Sequence, residues 1–469
     1  MRGNKERDNL KEACGVYGIY SYNGDPLAKL VYYGLYALQH RGQESAGIFA
    51  SDGKEFRGHV GMGLVNVVFN EEIISKITGH IAVGHVRYST TGSSALCNAQ
   101  PIVVQSKWGP FALAHNGNLV NTDELKGSLT GYKLKGTTDS ELIAGLVASS
   151  DEKSFEEAML ATINKCRGAF SVVVMTLDKL YGFRDQQGMR PLCLGRRGDS
   201  YIISSETCGL DVIGAEFVRE ISNGEMVVID KNGLQSKTWC RGERPALCVF
   251  EFIYFARPDS LIDGRSFHDV RVHLGKYLAK EQPAEAEMVI AIPDSGIPAA
   301  IGFSKETRIP FADGLIKNRY IGRTFIQPTQ SLREIGVKMK LNPIRDAIRG
   351  RKMVVIDDSI VRGTTSRQIV RLLRDAGARE IHFRVSSPPI TCPCFYGVDM
   401  ATRSELIAAN LSIEGIRKYI EADSLGYLSI HNLVRAVNLP KERLCLACLN
   451  GEYPVKVPER LESLKLVFK

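Results

Sequence analysis

The segment Met353-Val354-Val355-Ile356-Asp357-Asp358-Ser359-Ile360-Val361-Arg362-Gly363-Thr364-Thr365-Ser366 carries the side chains needed to hold a phosphorylated sugar. Its four apolar, mostly β-branched residues predict a buried parallel strand. Asp357 and Asp358 stand where that strand ends, placed to face sugar hydroxyls. Gly363 allows close backbone approach to a ligand, and Thr364, Thr365 and Ser366 supply hydroxyls. Ile369, Leu372, Leu373 and Ala376 recur at helical spacing, and Gly377 stops that helix. Strand, hydroxyl-rich loop and helix N-terminus make an anion cradle, because unpaired N–H groups and the helix dipole favour negative charge there. No Gly-x-x-x-x-Gly-Lys-Ser/Thr run occurs, so this is not an ordinary nucleotide-binding loop.

A second constellation lies near the other end. Cys14-Gly15-Val16-Tyr17-Gly18-Ile19 sets a cysteine at the start of a strand, behind a polar leader. Leu38-Gln39-His40-Arg41-Gly42, Gly84-His85-Val86-Arg87-Tyr88-Ser89-Thr90, Ala114-His115-Asn116-Gly117-Asn118 and Gly136-Thr137-Thr138-Asp139-Ser140-Glu141 follow in that order. A thiolate is a suitable nucleophile for an amide. If residues 1–13 are removed, the α-amine of the cysteine, with an unperturbed pKa near ~8, can serve as its base.

These motifs, covering about 14–235, resemble the class II glutamine amidotransferases, which are N-terminal nucleophile hydrolases. The resemblance implies Cys14 as nucleophile, with the Asn116 side chain and the Gly117 N–H as oxyanion hole. Arg87 matches the partner of the glutamine α-carboxylate and Asp139 that of its α-amine, with Arg41 and Thr90 lining the pocket. His40, His85 and His115 read as hydrogen-bonding residues rather than bases.

The acidic-pair segment resembles the 5-phosphoribosyl pyrophosphate (PRPP) motif of type I phosphoribosyltransferases. The resemblance assigns Asp357, Asp358, Arg362, Gly363, Thr364, Thr365 and Ser366 to PRPP. Pro293-Asp294-Ser295-Gly296 resembles the pyrophosphate loop of the same enzymes. Mg²⁺ prefers oxygen ligands and phosphate-bearing substrates, so Ser295, Asp357 and Asp358 mark the expected metal–PRPP surface. Between the two loops, 317–342 is basic and aperiodic, the texture of a functional lid. Lys317, Tyr320 and Lys340 match positions that close over PRPP in the family.

Both halves, with Phe252-Ile253-Tyr254-Phe255-Ala256-Arg257-Pro258-Asp259-Ser260 at the join, resemble the glutamine PRPP amidotransferases, in their iron–sulfur, propeptide-containing branch. That implies release of ammonia from glutamine and its use to displace pyrophosphate from PRPP. The products would be 5-phosphoribosylamine, glutamate and pyrophosphate, at the first step of purine synthesis. Purine nucleotides are the expected inhibitors, and a homotetramer or homodimer the expected assembly. Two other functions compete: a sugar-phosphate aminating amidotransferase, and a PRPP-fold repressor.

Eleven cysteines are many for a reducing compartment, where a disulfide framework is unexpected. Cys166, Cys193 and Cys208 sit in apolar or small-residue surroundings and read as packing. Cys445-Leu446-Ala447-Cys448 supplies half a tetrathiolate site, and Cys248 and Cys394 are able to complete it. Spacing alone leaves zinc and a 4Fe–4S cluster open. The family resemblance implies 4Fe–4S and prefers Cys394 over Cys392.

The elements that position these residues differ between the halves. Strand-like runs at 15–20, 81–86, 111–114, 170–176, 201–204 and 226–229, with helices near 27–39, 139–149 and 154–166, predict antiparallel sheets covered by helices. From about 265, helix 269–282, strand 288–292, helix 297–305, strand 353–356, helix 366–376 and strand 381–385 predict a parallel α/β sheet. Ligands then belong at the carboxyl ends of its strands. The tail from about 405 reads as helical, then looped. With the resemblance, the expected fold is α+β then α/β: a nucleophile-hydrolase αββα sandwich followed by a phosphoribosyltransferase domain. The expected boundaries are a propeptide at 1–13, an amidotransferase domain at 14–238, an acceptor domain at 239–430 and a cluster-ligand segment at 431–469.

Hydrophobic content of 44% and charged content of 24% describe an ordinary soluble protein of 469 residues, long enough for two or three domains. Net charge of +8 is mild and suits anionic small molecules. No long Lys/Arg run points to nucleic acid, and no apolar run reaches spanning length; the longest, 247–256, is broken by Glu251. The leader lacks an apolar core, so the cytoplasm is the expected compartment.

Overall fold

The short strands of the first half pair into two antiparallel sheets in the computed structural model, which describes residues 14–88, 94–240, 244–318, 341–398, 402–459 and 461. One sheet runs in the order Glu216–Glu220, Cys193–Arg197, Ser200–Ser204, Gly15–Tyr20, Ile81–Arg87, Ser45–Ser51, Phe56–Met62. The other runs Gly233–Thr238, Glu225–Asp230, Leu180–Arg184, Gly168–Met175, Gly109–Leu119, Ile102–Ser106. Val16, Ile81 and Val83 of the first meet Ala112, Val173 and Leu180 of the second in the layer between them. Helix Leu27–Ala37 seals the outer face of the first sheet through Leu27, Val31 and Leu35. Helices Asp139–Ala148 and Phe155–Lys165 seal the second. The layers are therefore αββα, as the resemblance implied. Each fully buried Val, Leu or Ile stabilises this stack by about 1.5–3 kcal/mol over leaving it exposed. Thr138 and Ser154 start the two outer helices by accepting from the Glu141 and Glu157 N–H groups.

In the second half, Met288–Ala291, Lys352–Asp357, Glu380–Val385 and Ser424–Tyr427 form a parallel sheet in that order. Alternation sends Val354 and Ile356 to one face and Met353 and Val355 to the other. Helices Phe267–Glu281 and Ile297–Thr307 pack on the first face; Thr364–Asp375 and Ile413–Ile420 pack on the second. The tail departs from expectation. It holds helices, yet Ser424–Tyr427 within it is the fourth parallel strand. Four residues including Gly426 carry too little periodicity to announce a strand. The chain then returns to the join, where Leu444–Cys445 pairs in parallel with Leu247–Cys248. Among the described residues, no helix is long and apolar enough to cross a membrane.

Candidate active site

Cys14 immediately precedes the central strand of the first sheet, Gly15–Tyr20, whose register sets Gly15 opposite Val86. That pairing brings the thiol to the Tyr88 backbone: Sγ–H donates to its carbonyl at 3.3 Å and Sγ accepts from its N–H at 3.4 Å. Burial pushes the thiol pKa up, while the Tyr88 hydrogen bond and the Arg87 charge pull against it.

The facing sheet supplies Asn116 and Gly117 from strand Gly109–Leu119. Asn116 is buried, and neither its Nδ2 nor its Oδ1 has a hydrogen-bond partner among the described residues. Leaving such a buried amide unpaired costs about 1–3 kcal/mol. Gly117 has φ +152°, and a Cβ there would stand 1.9 Å from the Ala169 carbonyl oxygen. Asp139, first in its helix, accepts from the Leu119 N–H at 3.0 Å and so is fixed against the same strand. Buried Arg87 reaches Glu44 at 3.5 Å. Thr90 lies outside the described residues.

Arg41, which the resemblance assigns to the glutamine pocket, lies beside the Cys14 backbone. It is fully buried, and its Nη1 and Nη2 bond to Glu251 at 3.0 and 2.8 Å, with a further contact from Nη1 to Glu206. Its Nε donates to the Cys14 carbonyl at 3.1 Å. Burial works to lower its pKa, but the two carboxylates raise it above its ordinary value. The guanidinium is thereby committed to protein groups and holds the backbone of Cys14. Sequence reasoning assigned no role to Glu206, Arg190 or Glu251. For Glu251 a signal existed, a lone carboxylate in an apolar run.

At the carboxyl end of the parallel sheet, Asp357 and Asp358 are buried. Ser295 Oγ donates to Asp358 Oδ2 at 2.5 Å, joining the two candidate loops 63 residues apart. Burial raises the Asp358 carboxyl pKa, against the Ser295 and Ser359 hydroxyls and Arg271. Gly363 has φ +79° and precedes helix Thr364–Asp375, so Thr364, Thr365 and Ser366 form its first turn. Arg362 reaches Glu405 at 3.4 Å, and Lys317 pairs with Asp294 at 2.6 Å. Strands Leu315–Lys317 and Leu341–Pro343 pair, so the ends of the basic segment meet. Tyr320 and Lys340 lie outside the described residues.

Cys248, Cys394, Cys445 and Cys448 line one small cavity of about 20 Å³, together with Arg190. Cys392 is not among its walls. Burial pushes the Cys248 thiol up to about 11 and raises Cys445 and Cys448 further, with the neighbouring thiols adding to each shift. Among the described residues, no three His, Cys, Asp or Glu side chains are grouped to hold a metal ion.

Comparison with known proteins agrees with this two-site layout. Residues 85–211 match a glutamine amidotransferase domain, and residues 266–387 a phosphoribosyl transferase domain. The amidophosphoribosyltransferase of Synechococcus elongatus is 52% identical over 475 residues, spanning 100% of this chain and 96% of that one. That of Archaeoglobus fulgidus is 49% identical over 451 residues, spanning 95% and 98%. A glutamine PRPP amidotransferase structure from B. subtilis, complexed with ADP and GMP, superposes with a TM-score of 0.90 at 45% identity, covering 96% of this chain and 100% of that one. A structure of the allosteric regulatory enzyme of purine biosynthesis gives 0.91 at 45% identity, covering 97% and 99%.

Proposed function

The chain belongs to the amidophosphoribosyltransferases, and from that premise we propose how its residues divide the reaction. The enzyme converts PRPP, glutamine and water to 5-phosphoribosylamine, glutamate and pyrophosphate, the first step of purine biosynthesis. A sugar-phosphate aminating enzyme is set aside by the phosphoribosyl transferase match, and a repressor by the amidotransferase match.

With residues 1–13 removed, the free α-amine of Cys14 takes the thiol proton, and the thiolate attacks the glutamine carboxamide carbon. The oxyanion is met by the Asn116 side-chain N–H and the Gly117 N–H. Collapse breaks the C–N bond, and the amine returns the proton to leaving ammonia. Water then hydrolyses the thioester to glutamate. Arg87 holds the substrate α-carboxylate and Asp139 its α-amine, with Thr90 in the pocket. Arg41 lines the pocket and, through its bond to the Cys14 carbonyl, also positions the nucleophile. Support comes from the unpartnered Asn116 amide on the strand facing the thiol.

In the other half-site, Asp357 and Asp358 hold the ribose hydroxyls. Thr364, Thr365 and Ser366 receive the 5′-phosphate, with Gly363 and Arg362 beside them. Asp294, Ser295 and Lys317 face pyrophosphate, and Tyr320 and Lys340 close over it. Bound Mg²⁺ would neutralise the departing pyrophosphate, on the surface of Ser295, Asp357 and Asp358. Ammonia attacks C1 of the ribose as the C1–O bond to pyrophosphate breaks. The Ser295–Asp358 contact, which brings the two loops together, supports this reading.

Cys248, Cys394, Cys445 and Cys448 are the proposed ligands of a structural 4Fe–4S cluster, since neither half-reaction is redox chemistry. Domain limits of 14–238, 239–430 and 431–469, purine-nucleotide inhibition, a homotetramer or homodimer, and a cytoplasmic location complete the proposal. The deciding experiment is glutamate release from glutamine, with and without Mg–PRPP, alongside pyrophosphate release. Glutamate and pyrophosphate should form together, and glutamate without PRPP-dependent pyrophosphate would refute the division.

A further inference from the structure

Glu251 is fully buried in the short helical turn Glu251–Phe255, at the join of the halves, and the steps above leave it without a task. Its Oε1 accepts from Arg41 Nη2 at 2.8 Å and from Arg190 Nη1 at 3.3 Å, while Oε2 accepts from Arg41 Nη1 at 3.0 Å. Each arginine then holds a different part of the amidotransferase site. Arg41 Nε donates to the Cys14 carbonyl at 3.1 Å. Arg190 Nη2 and Nε donate to the Tyr396 carbonyl at 2.7 and 3.2 Å. The next residue, Gly397, packs on the oxyanion strand so closely that a Cβ there would lie 3.0 Å from the Gly117 carbonyl carbon. Asn118 ties the same two segments by donating to the Phe395 carbonyl at 2.8 Å.

We propose that Glu251 is a positioning residue of the glutaminase half-site, setting the separation between the Cys14 thiol and the Asn116 and Gly117 donors. The inference rests on the assignment of Cys14 as nucleophile. Stability alone is a weak reason for the arrangement. Burying charges is costly, and apolar residues of similar volume often serve as well or better. A buried carboxylate shared by two guanidiniums, by contrast, fixes direction as well as distance. The turn is pinned from the acceptor side too: Arg271 donates to the Phe252 and Ala256 carbonyls at 2.8 and 2.7 Å. A residue outside the glutamine pocket thereby sets the geometry within it.

The test compares Glu251→Gln, Glu251→Asp and Cys14→Ala in the full-length enzyme, with glutamine and with free ammonia as nitrogen source. Displaced oxyanion donors are felt in the transition state, so Glu251→Gln should lower glutamine-dependent kcat about a hundred-fold while leaving KM for glutamine near its original value. The ammonia-dependent rate of the same preparation should hold, which also reports that the fold is intact. Glu251→Asp keeps the charge and should recover part of the loss. Undiminished glutamine turnover in Glu251→Gln, or parallel loss of both rates, overturns the proposal. If Glu251→Gln does not fold, the same comparison on Glu251→Asp decides: a selective fall in glutamine kcat supports the role, and equal changes in both rates reject it. Cys14→Ala separates the two ideas, because retained glutamine use there would remove the nucleophile assignment itself.

Discussion

The Asn118 side-chain amide donates to the Phe395 backbone carbonyl at 2.8 Å, across 277 residues of sequence. One end of that bond lies in strand Gly109–Leu119, next to Gly117, and the other adjoins Cys394. The cysteine-lined cavity and the strand carrying Asn116 and Gly117 therefore share a short stretch of backbone, so a cluster held there would be coupled to that strand. Purified without oxygen, the protein should be brown and carry about four irons per chain. Cys448→Ser should lose the iron and lower Tm, since lost ligation is lost folding energy. A single zinc per chain without iron would contradict the assignment.

The two half-sites differed in how openly the sequence declared them. The strand ending at Asp357 and the helix after Gly363 form one contiguous run, so local propensity, the carboxylate pair and the left-handed glycine all point the same way. For the network around Glu251 the sequence offers only a lone carboxylate in an apolar run, and nothing that announces its partners. Arg41 meets Glu251 across 210 residues and Arg190 meets it across 61, and no local period encodes either contact. The sequence places Arg41 in the pocket motif but carries no sign of its hydrogen bonds to Cys14, Glu206 and Glu251. The strand Ser424–Tyr427 escaped notice because its place is set by pairing with Glu380–Val385, not by its own alternation.

Acceptor and donor chemistry should be separable. Asp357→Asn or Asp358→Asn removes charge from the end of the parallel sheet and leaves the sandwich untouched. PRPP-dependent pyrophosphate release should fall at least about a hundred-fold, by loss of substrate and metal placement. Basal hydrolysis of glutamine should persist. Loss of basal glutaminase in a folded Asp358→Asn enzyme would show that the carboxylates act on both sites.

Gly363 offers a test of the cradle itself. Its φ of +79° lies in the left-handed region, and a Cβ would meet Ile407 Cδ1 at 2.7 Å. An alanine there costs about 1–2 kcal/mol in backbone strain, before any contact with Ile407 is relieved. Gly363→Ala should raise KM for PRPP and leave KM for glutamine in the basal glutaminase reaction unchanged. An unaltered KM for PRPP would place the phosphate elsewhere.

The Cys14 base requires a free α-amine, so the mature chain should begin at Cys14. Intact-mass analysis reads this directly. Full glutamine-dependent activity with Met1 still attached would require another base.

Two buried groups contribute to the pH dependence of stability with opposite signs. His85 is fully buried, with Nε2 3.0 Å from the His115 carbonyl and Nδ1 without a hydrogen-bond partner among the described residues. Burial pushes its pKa from 6.5 down to about 3. Unfolding then takes up a proton below pH 6.5, so this contribution is complete above 6.5 and is lost as pH falls towards 3. Glu220 runs the other way. Burial raises its carboxyl from 4.5 to about 7, so its contribution is complete below 4.5 and is lost as pH rises through 7. Between pH 4.5 and 6.5 the two slopes oppose one another, each at most about 1.4 kcal/mol per pH unit. Glu220→Gln removes one falling contribution and should tilt the Tm profile upward with pH relative to the parent. His85→Gln removes one rising contribution and should tilt it downward relative to the parent. Parallel Tm profiles in all three proteins would mean that neither group titrates on unfolding.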